Sequence, residues 1–215
     1  NKPQFNNKKD YKKYPRNIKK DIKKIKKLSI DYVYLPTSNQ IYPKEMNRKL
    51  NISSFKKKLC GKFRPGHFES VADVIERFIK IIHPDKIYFG KKDFQQFIII
   101  KDFIKKNYPK IKVIGCKIIR DNNGIACSSR NFLLKSYEKK NASNIYKLIM
   151  KNKKKLINKK ISINLVKKKI FEYGARKIDY IKILNINKLI KPFKRKKVFK
   201  IFIAYYMGNT RLIDN

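Results

Sequence analysis

Several residue types are scarce in this chain of 215 residues, and their scarcity excludes certain kinds of site. Its three cysteines, Cys60, Cys116 and Cys127, lie far apart and form no Cys-x-x-Cys pair. This spacing indicates reduced thiols and argues against a disulfide framework or a cysteine-based zinc site. Only two histidines occur, His67 and His83. They are too few for a histidine-rich metal site.

Long apolar runs are also missing. No stretch approaches the ~18 consecutive apolar residues that suggest a membrane span, because lysines interrupt the longest candidates. The chain shows no signal peptide and no initiator methionine, and it opens at Asn1 in a segment with the composition of a loop. These features predict a cytoplasmic protein with no membrane segment, and a sequence truncated at its amino terminus.

Acidic residues are few: 15 Asp and Glu stand against 57 Lys and Arg, giving a formal net charge of +42. Such a surface could bind nucleic acid by releasing counterions from phosphates. Only nine of the basic residues are arginine, however, whereas proteins that read bases or phosphates favour arginine forks. Lysine, isoleucine and asparagine, which have AT-rich codons, are enriched together, while glycine (7) and tryptophan (0) are scarce. Compositional drift is therefore preferred, and a basic nucleic-acid-binding protein stays as the alternative.

The hydrophobic spacing in the first half alternates between helical and strand-like segments. It predicts helices over 16–28, from a Ser70 cap to Pro84 and over 94–106, and strands over 31–35, 86–89 and 113–116. Helices between short apolar strands indicate a parallel sheet with crossover helices. In such folds ligands bind beyond the carboxyl ends of the strands.

The second half follows a different pattern. Asp-Asn-Asn-Gly at 121–124 predicts a hairpin tip, two lysine-rich helices follow within 144–173, and 177–185 and 196–206 predict strands. We expect a hinge near 116–121, which divides the chain into a Rossmann-like domain over 1–118 and a smaller α+β domain over 119–215.

Two short clusters follow predicted strands and could bind phosphate. The first, at 90–96, combines Lys92 and Asp93 with two adjacent amides, Gln95 and Gln96; the second, at 127–131, contains two serines and Arg130. Ammonium, guanidinium and hydroxyl donors suit a polyphosphate. The alternatives are a surface Lys-Asp pair and an ordinary serine helix cap. Because adjacent helical residues face different sides, we expect one glutamine in the site and the other in solvent.

These clusters belong to an ordered set of motifs that spans the chain. The set comprises Asn-Lys-Pro-Gln-Phe (1–5), Tyr-Pro-Arg (14–16), Arg-Pro-Gly-His-Phe (64–68), Gly-Lys-Lys-Asp-Phe-Gln-Gln (90–96), Ser-Ser-Arg-Asn (128–131) and Gly-Asn-Thr-Arg-Leu-Ile-Asp-Asn (208–215). In this order the motifs closely resemble those of the pantoate–β-alanine ligases (pantothenate synthetases), members of the nucleotidylyltransferase superfamily.

The resemblance implies an α/β fold: a Rossmann-like parallel-sheet nucleotide-binding domain that lacks its amino-terminal strands, and a smaller α+β domain that closes over ATP. It implies that pantoate and ATP form a pantoyl adenylate, from which β-alanine displaces AMP to give pantothenate. It also implies Mg²⁺, a homodimer and a cytoplasmic location, with no specific nucleic-acid partner and no membrane.

The resemblance assigns residues by motif. The catalytic set would be Lys92, Ser128, Ser129 and Arg130. Gln4 and Gln96 would hold pantoate, and Gln4 would also lie near β-alanine. The ATP site would be lined by Gly90, Lys91, Lys92, Asp93, Ile119, Cys127, Ser128, Ser129 and Arg130.

The chain departs from the family pattern in three places. Lys91 replaces a glutamate and Cys127 a methionine, and a position that contacts nucleotide by backbone tolerates both. The third departure is the absent amino-terminal Met-Gly-x-Leu-His-x-Gly-His block, whose histidines bind ATP phosphates in the family. The chain as given is therefore expected to be inactive and poorly folded, and a non-catalytic remnant of the ligase stays open as a further alternative.

Overall fold

The computed structural model describes residues 2–5, 8–43, 50–186, 189 and 198–215. In these ranges the α-helices are α1 (Lys8–Lys13), α2 (Ile18–Ile25), α3 (Ser38–Ile41), α4 (Cys60–Phe63), α5 (His67–Ile82), α6 (Phe94–Asn107), α7 (Ser136–Ile157) and α8 (Ile163–Glu172). The strands are β1 (Lys86–Gly90), β2 (Lys112–Cys116), β3 (Ala175–Asn185), β4 (Phe199–Met207) and β5 (Thr210–Asp214).

The first half contains a β-α-β unit. Strands β1 and β2 pair in parallel, from Lys86 opposite Lys112 to Gly90 opposite Cys116, and α6 connects them. The connecting helix buries a continuous apolar face, because Ile99, Ile100 and Ile104 have no exposed surface. The predicted parallel sheet and its crossover helix are confirmed.

The predicted strand over 31–35 is wrong. Within the described residues this segment pairs with no strand, and its side chains are exposed, up to 92% for Tyr32. The apolar pattern is typical of a strand, but a strand needs a hydrogen-bonding neighbour, and β1 pairs only with β2 in the described part of the chain. Helix α2 forms as predicted and is capped by Asn17, but Ile18 on its apolar face is exposed.

Helix α5 begins three residues before the predicted Ser70 cap. Its cap is Gly66, which has a left-handed backbone with φ +76°. Glycine adopts this conformation without steric cost, so the turn before it can lead directly into the helix. The helix ends at Ile82, just before Pro84 as predicted.

The second half is an antiparallel sheet in the order β3-β4-β5, packed with α7 and α8. The two lysine-rich helices are confirmed, and β3 and β4 match the predicted strands, although positions 196 and 197 lie outside the described residues. Strand β5 was not predicted. Two hydrogen bonds close the turn at 121–124, from the Gly124 N–H to the Asp121 carbonyl and from the Asp121 N–H to the Ile125 carbonyl.

Strand β4 joins two hydrophobic cores. Phe202 and Ala204 on one face pack with α5 and α6, while Ile201, Ile203 and Tyr205 on the other pack with α7 and α8. The alternation follows from the two-residue period of a strand. Since Tyr180 of β3 also belongs to the first core, the apolar interior crosses the expected boundary at 118/119.

None of the helices in the described ranges is long and apolar enough to cross a membrane.

Candidate functional site

The loop at 90–93 lies at the carboxyl ends of the parallel strands. Gly90 closes β1 opposite Cys116, and a 3₁₀ turn over Lys91–Asp93 leads into α6. The stem of Lys91 lies over Gly115 of β2, with Cε 2.6 Å from the position that a Cβ would occupy there. Lys91 thus occupies space beside β2 that a larger residue at 115 would fill.

A short hairpin carries the second cluster. The Cys127 N–H donates to the Ile119 carbonyl (2.9 Å), and Arg120 forms an antiparallel bridge with Ala126. Ile119 and Cys127 therefore face each other across the hairpin, and both are exposed. Their pairing brings two of the predicted ATP-lining positions together.

The serines and the arginine after this hairpin form a turn of 3₁₀ helix over Ser129–Leu133. Ser128 is its cap, since its Oγ accepts from the Arg130 N–H (3.3 Å). The Ser129 hydroxyl donates to Tyr14 Oη (2.9 Å), and the Arg130 guanidinium lies 5.6 Å from the centre of the Tyr14 ring. The serine-cap interpretation is correct for Ser128, while Tyr14 positions the other two side chains.

Two adjoining cavities collect most of the predicted catalytic residues. The first, of about 580 Å³ including its open mouth, is lined by Lys92, Asp93, Ser128 and Arg130 together with two further arginines, Arg64 and Arg211. The second, of about 410 Å³, is lined by Gln96 and His67. Arg64, Lys92 and Asp93 line both. The remaining predicted residues lie outside these two linings: Gln4, Gly90, Lys91, Ile119, Cys127 and Ser129.

Gln4 is fixed at the edge of the second cavity by its backbone. Its carbonyl oxygen accepts from Arg64 Nη2 (3.0 Å) and lies 2.9 Å from His67 Nδ1. Burial and the charge of Arg64 lower the pKa of His67 to about 3. The imidazole is therefore neutral near pH 7 and donates its Nδ1 proton to this carbonyl, which is a structural role as the sequence predicted.

The two adjacent glutamines have separate roles. Gln95 is buried: its Oε1 accepts from the Cys60 N–H (3.0 Å), and its Nε2 donates to the carbonyls of Phe55 (2.8 Å) and Lys58 (2.6 Å). The expectation that the second glutamine faces solvent is wrong, because α6 packs that side against α4 and the preceding turn. Gln96 faces the second cavity as predicted.

The first cavity is strongly electropositive. It brings together one ammonium and three guanidinium groups, and Asp179 pairs with one of these, Arg211 (2.8 Å). No ion pair joins Lys92 to Asp93 within the described residues, so the alternative of a surface Lys-Asp pair is not supported there. Sequence reasoning assigned no site role to Arg64, Arg211 or Tyr14, although each stands in a quoted motif. Such a cavity suits a polyphosphate.

The family model described as "Pantoate-beta-alanine ligase" matches residues 1–215. The chain belongs to the pantoate–β-alanine ligase family. A pantothenate synthetase from Sulfurihydrogenibium sp. (strain YO3AOP1) is 37% identical over 99% of the chain and 78% of its own length. One from Clostridium botulinum (strain Loch Maree / Type A3) is 38% identical over 99% and 77%.

Solved structures of the family share the fold. The pantoate–β-alanine ligase from Francisella tularensis, in complex with β-γ ATP and β-alanine, superposes with a TM-score of 0.84 at 33% identity, covering 100% of this chain and 75% of its own. The pantothenate synthetase from Thermus thermophilus also gives 0.84, at 25% identity over 99% and 78%.

Proposed function

We propose that this protein forms pantothenate from pantoate, β-alanine and ATP, with release of AMP and pyrophosphate. One observation carries the proposal: an electropositive cavity lined by Lys92, Ser128 and Arg130 adjoins a second cavity lined by Gln96. The first suits a polyphosphate, and the second offers an amide that can both donate to and accept from a small hydroxy acid. Membership of the ligase family supports the same reaction.

The reaction proceeds in two steps. A carboxylate oxygen of pantoate attacks the α-phosphorus of ATP, the bond to the bridging oxygen breaks, and pyrophosphate leaves. The amine of β-alanine then attacks the acyl carbon of the adenylate, AMP leaves with its oxygen, and the amine loses a proton. Neither step requires a covalent bond to the protein, so its residues act by positioning and by stabilising charge.

The phosphates are held by Lys92, Ser128, Ser129 and Arg130 in this proposal. The backbone around 90–93 and the facing pair Ile119 and Cys127 contact the nucleotide. A backbone contact explains why lysine at 91 and cysteine at 127 are acceptable, since neither side chain would have to carry a specific bond.

Pantoate occupies the second cavity, held by Gln96 and by Gln4, which also lies near β-alanine. Within the described part of the chain no residue hydrogen-bonds the Gln96 side chain, which leaves its amide available. The bonds from Arg64 and His67 to the Gln4 carbonyl fix that residue's backbone at the cavity edge.

Magnesium enters with ATP. The described residues contain no group of three metal-binding side chains, which suits Mg²⁺ because it is usually held by substrate phosphates and one or two carboxylates. Asp93, which lines both cavities, is the carboxylate placed to assist. The ion would neutralise charge on the leaving pyrophosphate.

Further parts of the proposal concern organisation. Residues 1–118 form the ATP- and pantoate-binding domain and 119–215 the smaller domain that closes over ATP, in a cytoplasmic homodimer. Residues 1–215 expressed alone are expected to be inactive, because the segment at 31–35 exposes Tyr32, Val33, Tyr34 and Leu35 with no strand beside it. Such segments favour aggregation.

The test is AMP release by the protein expressed from its complete gene. We expect AMP and pyrophosphate only when pantoate, β-alanine and ATP are all present. ADP as product, or turnover without pantoate, would contradict the proposal. A folded protein that releases no AMP would instead support the non-catalytic remnant.

A further inference from the structure

The end of β5 is bonded to the hairpin that leads into the Ser-Ser-Arg turn. The Asp214 carboxylate accepts two bonds from the Arg120 guanidinium, Nη1 to Oδ2 at 2.6 Å and Nη2 to Oδ1 at 2.8 Å. Arg120 also donates to the Gly124 carbonyl (2.9 Å), and its guanidinium lies 4.2 Å from the centre of the Tyr146 ring. A two-bond pair of this kind fixes orientation as well as distance.

The next residue is bonded to the other phosphate-binding segment. Asn215 Nδ2 donates to the carbonyls of Lys91 (3.0 Å) and Lys92 (2.6 Å), while its backbone N–H donates to Asp214 Oδ1 (2.7 Å). The two carbonyls determine which way the amide is turned, because the opposite orientation would place three oxygens together. Asp214 and Asn215 therefore connect the 120–126 hairpin to the 91–92 turn.

We propose that Arg120, Asp214 and Asn215 are positioning residues that set the distance between the two segments that hold ATP. The proposal rests on the proposed function, since it concerns the same site. Lys92 comes from one segment, and Ser128, Ser129 and Arg130 come from the other. Donors on separate segments act together on one polyphosphate only if their relative position is fixed.

The first experiment is Asn215→Ala in the protein expressed from its complete gene. Loss of two hydrogen bonds to the turn should raise the KM for ATP, or lower the rate of pantoate-dependent exchange between ATP and pyrophosphate, by about tenfold. The KM for β-alanine should not change. Asn215→Asp should be worse than Asn215→Ala, because a carboxylate would face two carbonyl oxygens.

Asp214→Asn is a second variant that removes the charge but keeps the shape, and it should change the same two parameters. Asn209→Ala is the matched control. Asn209 lies in the β4–β5 turn and accepts one exposed bond from Arg176 (2.7 Å), away from both ATP segments. Its replacement should leave all three KM values and kcat unchanged.

Hydrogen exchange of the 91–93 amides provides a readout besides activity. Asn215→Ala should speed their exchange, whereas Asn209→Ala should not. If Asn215→Ala lowers only the melting temperature or active fraction, with every KM and these amides unchanged, the positioning role is refuted. If the unmodified protein releases no AMP, the proposed function fails, and unchanged exchange in Asn215→Ala would still separately refute the connection between the segments.

Discussion

The adjacent glutamines of α6 allow a test in which one residue controls for the other. Gln95→Ala removes the acceptor of the Cys60 N–H and the donor to the carbonyls of Phe55 and Lys58. Two of these backbone groups, on Cys60 and Phe55, are buried, and an unpaired buried group costs about 1–3 kcal/mol. The free energy of unfolding should therefore fall by about 4 kcal/mol, with a smaller part from the partly exposed Lys58 carbonyl.

Gln96→Ala has the opposite expected profile. Its side chain lines a cavity and has no hydrogen-bond partner within the described residues, so stability should change by less than about 0.5 kcal/mol. The KM for pantoate should rise instead. Gln95→Glu should destabilise more than Gln95→Ala, because its carboxylate would face the Phe55 and Lys58 carbonyls without a proton to donate.

Urea unfolding of the full-length variants measures the first effect, and steady-state kinetics with pantoate varied measures the second. If Gln95→Ala costs less than about 1 kcal/mol, the unpaired backbone groups find other partners and the reasoning fails. Equal stability losses for the two alanine variants would refute the division of roles. An unchanged pantoate KM in Gln96→Ala would remove that residue from the pantoate site.

Three further predictions concern charge. Lys92→Ala and Arg130→Ala should each lower kcat by about 10²–10³ while melting temperatures hold, because each removes a preorganised donor to developing phosphate charge; parallel losses of both would make them structural. His67 has a lowered pKa of about 3, so the folded state resists protonation and loses stability as pH falls below about 6.5, by about 2 kcal/mol at pH 5. His67→Gln should reduce that loss between pH 6.5 and 5, and an identical pH dependence of urea midpoints would contradict the assignment. With a net charge of +42, duplex DNA should bind weakly at low salt and without sequence preference; tight, selective binding near physiological salt would revive the nucleic-acid alternative.

Local signals in the sequence were sufficient for the β-α-β unit. The apolar run of β1 ends at Gly90, the helical spacing of α6 follows at once, and β2 repeats the strand pattern. The turn at 121–124 has similarly local chemistry, since the Asp121 carboxylate accepts from the backbone of Asn123 and Ile125. The phosphate-binding clusters could be found because they follow these elements directly.

Features that depend on distant partners could not be predicted. The role of Gln95 depends on backbone groups 35 to 40 residues earlier in the chain. Strand β5 is short and partly charged, and its strand conformation depends on β4 beside it. The segment at 31–35 shows the converse, because its apolar pattern is strand-like while the described residues supply no partner strand.

The position of β4 between two cores has a consequence for how the protein unfolds. Its alternate residues belong to different cores, so neither core can be exposed to water without detaching the same strand from its neighbours. Substitutions on opposite faces, such as Phe202→Ala and Ile203→Ala, should therefore lower one common melting transition instead of separating two. The amides of β4 should exchange with solvent only through global unfolding.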